Sequence, residues 1–266
     1  MSDGENTEKK LVRLSKFISQ SNAEIDIHGI CVADDNSVLV SDVNNKRVLR
    51  YDELGEFQNS FHFSMIPRDI TVIPGKNQVA VTLQESRFSC KPGCIALLDS
   101  EQLKLISQNE IKCTPFGIVW YENLLAVGSW NTVQFYDLDF AFVRSIELPE
   151  DKIPVKFIKR GPGRTLFYST STANCISSEG LNIFRFPVEN GIPRGLCVDK
   201  DKILYFSCCS GTIIGISDKG LLLGTLLTGD QGLGRIGSLC FNKDYTKLYV
   251  TSDDGSSLSV LNFLKD

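Results

Sequence analysis

The 266-residue sequence predicts an all-β fold, a six-bladed β-propeller of four-stranded blades. Three observations carry this. An apolar anchor recurs at Ile30, Ile70, Ile118, Phe157, Leu196 and Leu239, at the blade-length spacing that marks a repeat architecture. After each anchor, at a nearly constant distance, comes a second apolar run closed by a small residue: VLVS (38–41), VAVT (79–82), LAVG (125–128), LFYS (166–169), LYFS (204–207) and LYVT (248–251). Constant spacing pairs each anchor strand with its successor as a hairpin.

Third strands follow at VLRY (48–51), IALL (95–98), VQFY (133–136), CIS (175–177), IIGI (213–216) and LSVL (258–261). Acidic or glycine turns such as DELG (52–55), DLD (137–139), SEG (178–180) and DKG (218–220) lead into fourth strands in the first five copies. The sixth copy ends after three strands. The alternating segment LVRLSKFI (11–18) is expected to supply the missing outer strand, so that both termini close the ring and no open sheet edge remains. Residues 1–8 are expected to be a tail and 9–266 a single propeller. Proline before four of the anchors, at Pro67, Pro115, Pro154 and Pro193, presets the chain direction into the inner strand.

Composition bounds the function. Hydrophobic residues make up 42% and charged residues 23%, as in ordinary globular chains. The polar start MSDGENTEKK has no apolar signal core and no run reaches membrane-spanning length, which predicts a cytoplasmic protein. Nine cysteines cannot all pair internally, and free thiols are expected, with a reversible Cys90–Cys94 bridge as the alternative in the insertion ESRFSCKPGC (85–94). Cys31, Cys197 and Cys240, one residue after their anchors, are expected to pack in the core. A net charge of −4 argues mildly against broad nucleic-acid affinity.

The run LVSDVNNKRV (39–48), the YDELG turn (51–55) and the lead-ins Pro115-Phe-Gly117 and Pro193-Arg-Gly195 resemble NHL repeats. The likeness covers roughly residues 9–266 and is weakest in the fourth blade, where Thr170 replaces the repeat's aspartate. It implies similarity to the C-terminal propeller of tripartite-motif ubiquitin ligases, a recognition module carried by catalytic and coiled-coil segments. No such segment precedes the ring here, so this resemblance implies the recognition part alone or a free-standing propeller.

Propeller hydrolases resemble one another in holding a metal through acids and asparagines at the channel mouth. The lead-in positions here are His28, Arg68, Phe116, Lys156, Arg194 and Ile236, which supply cations and no cage of oxygen ligands. With two histidines in the chain, triad or zinc chemistry is poorly supplied. The sequence therefore predicts no enzyme, no cofactor and no metal. It predicts a monomeric, non-catalytic scaffold that binds a protein through one loop face, using His28, Arg47, Arg68, Phe116, an exposed Trp130, Lys156, Arg194 and Arg235. The opposing expectation for those residues is local packing, with the arginines paired to Asp42, Glu85, Asp253 and Asp254. The alternative function is single-stranded RNA binding, with Arg68, Lys156, Arg194 and Arg235 on phosphates and Phe116 or Trp130 stacking on bases. Acidic residues Glu150, Asp151, Glu189 and Asp230 dilute that positive field.

Overall fold

The computed structural model describes residues 11–18, 24–149, 153–188, 193–231 and 233–263. They form six sheets of four antiparallel strands. The innermost strands are Ile27–Val32, Ile66–Ile73, Ile118–Tyr121, Phe157–Arg160, Pro193–Val198 and Leu239–Phe241. In five sheets the strands follow one another in sequence from the inside outward. In the sixth, Leu11–Ile18 is the outer strand and pairs with Ser257–Phe263, Leu14 opposite Leu261, so the two ends of the chain close the ring as expected. The expected tail and residues Glu150, Asp151 and Glu189 lie outside the described residues.

The core lies between the blades. Six clusters of buried side chains each draw on two neighbouring blades, as where Ile30, Val40 and Leu49 of the first meet Tyr249 and Leu258 of the last. Burial patterns of the second strands are almost continuous, BBBBB for Val38–Asp42, because both faces of a blade are covered by neighbours. Outer strands such as Leu105–Glu110 are mostly exposed.

One anchor shifts. Ile158 is fully buried and pairs with Tyr168, the register that Ile30 holds with Val40. Phe157 instead pairs with Ser169 and occupies the position before the anchor. The fourth blade's anchor is therefore Ile158, not Phe157.

The residue before each anchor is where neighbouring inner strands come closest. It is glycine in blades one, three and five (Gly29, Gly117, Gly195) and larger in blades two, four and six (Asp69, Phe157, Ser238). A Cβ at Gly29 would lie 2.7 Å from the Asp69 Cα, and one at Gly195 would lie 2.3 Å from the Gly237 carbonyl and 2.5 Å from the Ser238 Cα. Each glycine thus makes room for the corresponding residue of the next blade.

Candidate binding site at the channel mouth

The small residue closing each second strand has a structural task. Ser41 Oγ donates to the Arg68 carbonyl at 3.0 Å, Thr82 Oγ1 to Phe116 at 2.7 Å, Ser169 Oγ to Arg194 at 3.2 Å and Ser207 Oγ to Gly237 at 2.6 Å. In blade six the closing Thr251 accepts the Ser238 N–H through its Oγ1 at 2.7 Å, and it is the Ser238 hydroxyl that donates to the His28 carbonyl. In blade three the small residue is Gly128, which has no hydroxyl; a Cβ there would sit 2.3 Å from the Val155 carbonyl, and the Val155 N–H bonds Ser129 at 3.0 Å instead. Each donating hydroxyl satisfies a main-chain acceptor across a blade boundary and so fixes the backbone from which a lead-in side chain projects.

His28, Arg68, Lys156 and Arg194 share one environment. The His28 pKa is pushed down to about 3, by burial first and then by the charges of Arg68, Arg87, Lys156 and Arg194. Burial and then Arg87 also lower Arg68, and enclosure followed by Arg68 and Arg194 lowers Lys156. His28 is therefore a neutral imidazole at neutral pH, set among cations. Its Nε2 lies 3.7 Å from Asp26 Oδ1, while Asp26 Oδ2 is held by Arg87 at 2.6 Å. Among the described residues, Arg68, Lys156 and Arg194 have no carboxylate in ion-pair contact.

The remaining sequence-predicted residues are engaged locally, and Asp254 lines the same pocket as Asp26, His28 and Arg194. Arg47 is bound to the buried Asp42 at 2.9 Å, and Arg235 faces Asp254 at 3.3 Å, which are the local pairings weighed from sequence. Phe116 is 6% exposed and packs edge-on against Trp130, with ring centroids 5.5 Å apart. Trp130 is half-buried and its backbone bridges to Pro154, so the expected exposed tryptophan is corrected to a packed one. Asp26 was missed. The alternation in IDIHG (25–29) puts it on the same side as His28, and that pattern could have found it.

All nine cysteines are free, Cys90 and Cys94 included. Cys31 and Cys197 are buried and Cys240 is half-buried; besides packing with the core, all three line a cavity on the ring axis. Among the described residues no helix is long and apolar enough to cross a membrane.

The NHL repeat family matches residues 26–51. Comparison with curated proteins gives no match. Among solved structures, a streptogramin B lyase is similar over 95% of this chain and 98% of its own, with a TM-score of 0.69 and 13% identity. A catalytically inactive histidine-to-alanine variant of virginiamycin B lyase from Staphylococcus aureus with quinupristin matches over 95% and 99% of the two chains (TM-score 0.66, 13% identity). Selenomethionine-substituted virginiamycin B lyase from the same organism matches over 96% and 89% (TM-score 0.66, 14% identity). These similarities overturn the expectation of a non-catalytic scaffold that is no enzyme: rings of the same architecture and nearly the same extent are lyases, so a mouth rich in cations is no ground for excluding catalysis. At such identities the likeness establishes the fold, a six-bladed propeller carrying at least one NHL repeat.

Proposed function

We propose that the channel mouth binds a small organic anion through Arg68, Lys156 and Arg194, and that His28 exchanges a proton with it as an acid–base catalyst. The observation that supports this is the set of three cations, without carboxylate partners among the described residues, around a neutral imidazole. Cations so placed stabilise negative charge that develops on a substrate when a base removes its proton. A bound anion offsets the part of the His28 shift caused by Arg68, Arg87, Lys156 and Arg194, raising the imidazole pKa and making it a better base when the site is filled. Arg47 and Arg235 are tied to Asp42 and Asp254, so of the arginines expected on this face only Arg68 and Arg194 are without a carboxylate among the described residues; so short a row favours a compact anion over an extended strand of RNA.

The test is a histidine NMR titration with and without citrate. His62, on the exposed outer strand Phe57–His62, is the internal control. Citrate should raise the His28 pKa and leave His62 in place. Replacing Arg68 and Arg194 by alanine should weaken citrate binding by roughly tenfold or more, a loss of about 1.4 kcal/mol. A His28 resonance indifferent to citrate, or tighter binding of a single-stranded oligonucleotide than of any small anion, overturns the proposal.

A further inference from the structure

Roughly 10 Å further along the inner strands, at about 3.3 Å per residue, lies a second cavity. Its volume is about 280 Å³, and its wall includes Cys31, Thr71, Val119, Lys159, Cys197 and Cys240. Once the fourth anchor is placed at Ile158, all six occupy the same register, one residue past the anchor, and so form one layer around the axis. Three thiols from adjacent blades and Val119 make most of that layer weakly polar. Lys159 is the exception.

Among the described residues, Lys159 has no hydrogen-bond or ion-pair contact, although it stands inside the ring. Asp69 supplies the largest compensating charge. Its carboxylate is already engaged by main-chain N–H groups, Ile70 at 2.9 Å and Ile118 at 3.0 Å, so it balances Lys159 through space without satisfying the ammonium's donors. Burial alone would lower the Lys159 pKa, but the charge of Asp69 opposes it and the value lies above the usual lysine range, so the group is a cation. Arg160, Asn242 and Lys243 line the same cavity, but within the layer itself a half-buried ammonium without a partner among the described residues faces thiols, Val119 and Thr71, a setting complementary to a carboxylate attached to a short hydrocarbon body.

We infer that this axial cavity is a second binding site, for a small aliphatic monocarboxylate whose carboxylate meets Lys159 and whose chain lies against the thiol-bearing wall. The volume falls just below the about 300 Å³ at which pockets for drug-sized ligands begin, which limits the ligand to a short chain. The site is distinct from the mouth: it uses none of His28, Arg68, Lys156 or Arg194.

Octanoate is the probe, with calorimetry on the intact chain. Octanoate should bind the unaltered protein and lose at least about tenfold in affinity in Lys159→Met, whose side chain keeps the length but not the charge. The Arg68→Ala/Arg194→Ala protein should bind octanoate as well as the unaltered one, which separates this site from the mouth. Unchanged binding in Lys159→Met, loss of binding in the mouth variant, or equal binding of chloride alone overturns the inference. Should Lys159→Met not fold, thiol protection in the unaltered protein decides. At octanoate about ten times its dissociation constant, maleimide addition to Cys31, Cys197 and Cys240 should slow by about tenfold, while the exposed Cys90 keeps its rate. Rates at Cys31, Cys197 and Cys240 that octanoate leaves unchanged rule the site out.

Discussion

Ser238 in the last blade donates its hydroxyl to the main-chain carbonyl of His28 in the first, 210 positions earlier in the sequence. One hydrogen bond thereby joins the seam of the ring to the residue at the centre of the candidate site. Ser238→Ala leaves that carbonyl without its partner, and the expected cost is about 1–2 kcal/mol. Urea denaturation measures it. The same variant should broaden the His28 NMR resonance, since the backbone carrying the imidazole loses its tie. An unchanged midpoint and linewidth would show that the bond contributes nothing.

The pH dependence of stability follows from His28. In the unfolded chain its pKa is near the ordinary 6.5, and in the folded chain it is pushed down to about 3. Above 6.5 the imidazole is neutral in both states and has no effect on the balance. Below it, the unfolded chain gains a proton that the folded chain refuses, so stability is lost as the pH falls from 6.5 toward 3. His28→Gln removes this component. Denaturation midpoints measured near pH 7.5 and near pH 5 should fall less in the variant than in the unaltered protein. Equal losses would mean that His28 titrates normally.

Closure through the termini makes a truncation prediction. Removing residues 1–19 deletes the strand Leu11–Ile18 and bares the edge of Ser257–Phe263. An unpaired edge both destabilises the blade and invites pairing with another chain. The melting temperature should fall and oligomers should appear in size-exclusion chromatography. Removing residues 1–8 alone should do neither. A truncated ring that melts with the intact one and stays monomeric would show that this strand is dispensable.

Close approach between inner strands predicts an asymmetry among glycines. A Cβ at Gly195 would lie 2.3 Å from a main-chain oxygen that cannot rotate away, whereas one at Gly215 would meet the Tyr205 ring at 3.4 Å, an ordinary contact. Gly195→Ala should cost about 1–3 kcal/mol or more and Gly215→Ala far less, measured by denaturant midpoints. Comparable losses at the two positions would show that the inner seam tolerates extra volume.

Much of this ring was legible because its rules are local. Period-two alternation and regular turns located the strands, and the shortfall in the last copy identified Leu11–Ile18 as its outer strand. The anchor of blade four was misread because FIKR (157–160) presents two adjacent apolar residues, and only the pairing of Ile158 with Tyr168 distinguishes them. Arg47 and Arg68 look alike in sequence, yet one is tied to the buried Asp42 and the other has no such partner among the described residues. Arg47 stands directly opposite Asp42 in one hairpin, a local pairing, whereas the charges around Arg68 include Asp26 and Lys156 of other blades. Trp130 sits in a polar turn, GSWNT, which suggests exposure; its burial comes from Phe116 and the chain at Pro154, neither adjacent to it in sequence. The exclusion of an enzyme failed for another reason. It tested the chain only against an oxygen-ligand cage and histidine-rich zinc or triad chemistry, while rings of the same fold are lyases.

The alternation of Gly29, Gly117 and Gly195 with Asp69, Phe157 and Ser238 gives the ring a parity. A gain or loss of one blade in evolution would set two glycines face to face at one seam, leaving a void, or two larger residues at another, forcing them apart. Blades exchanged or duplicated in adjacent pairs would keep every seam matched. The unit of change compatible with this architecture is therefore the doublet, and a functional ring redesigned to a different size should be built by twos.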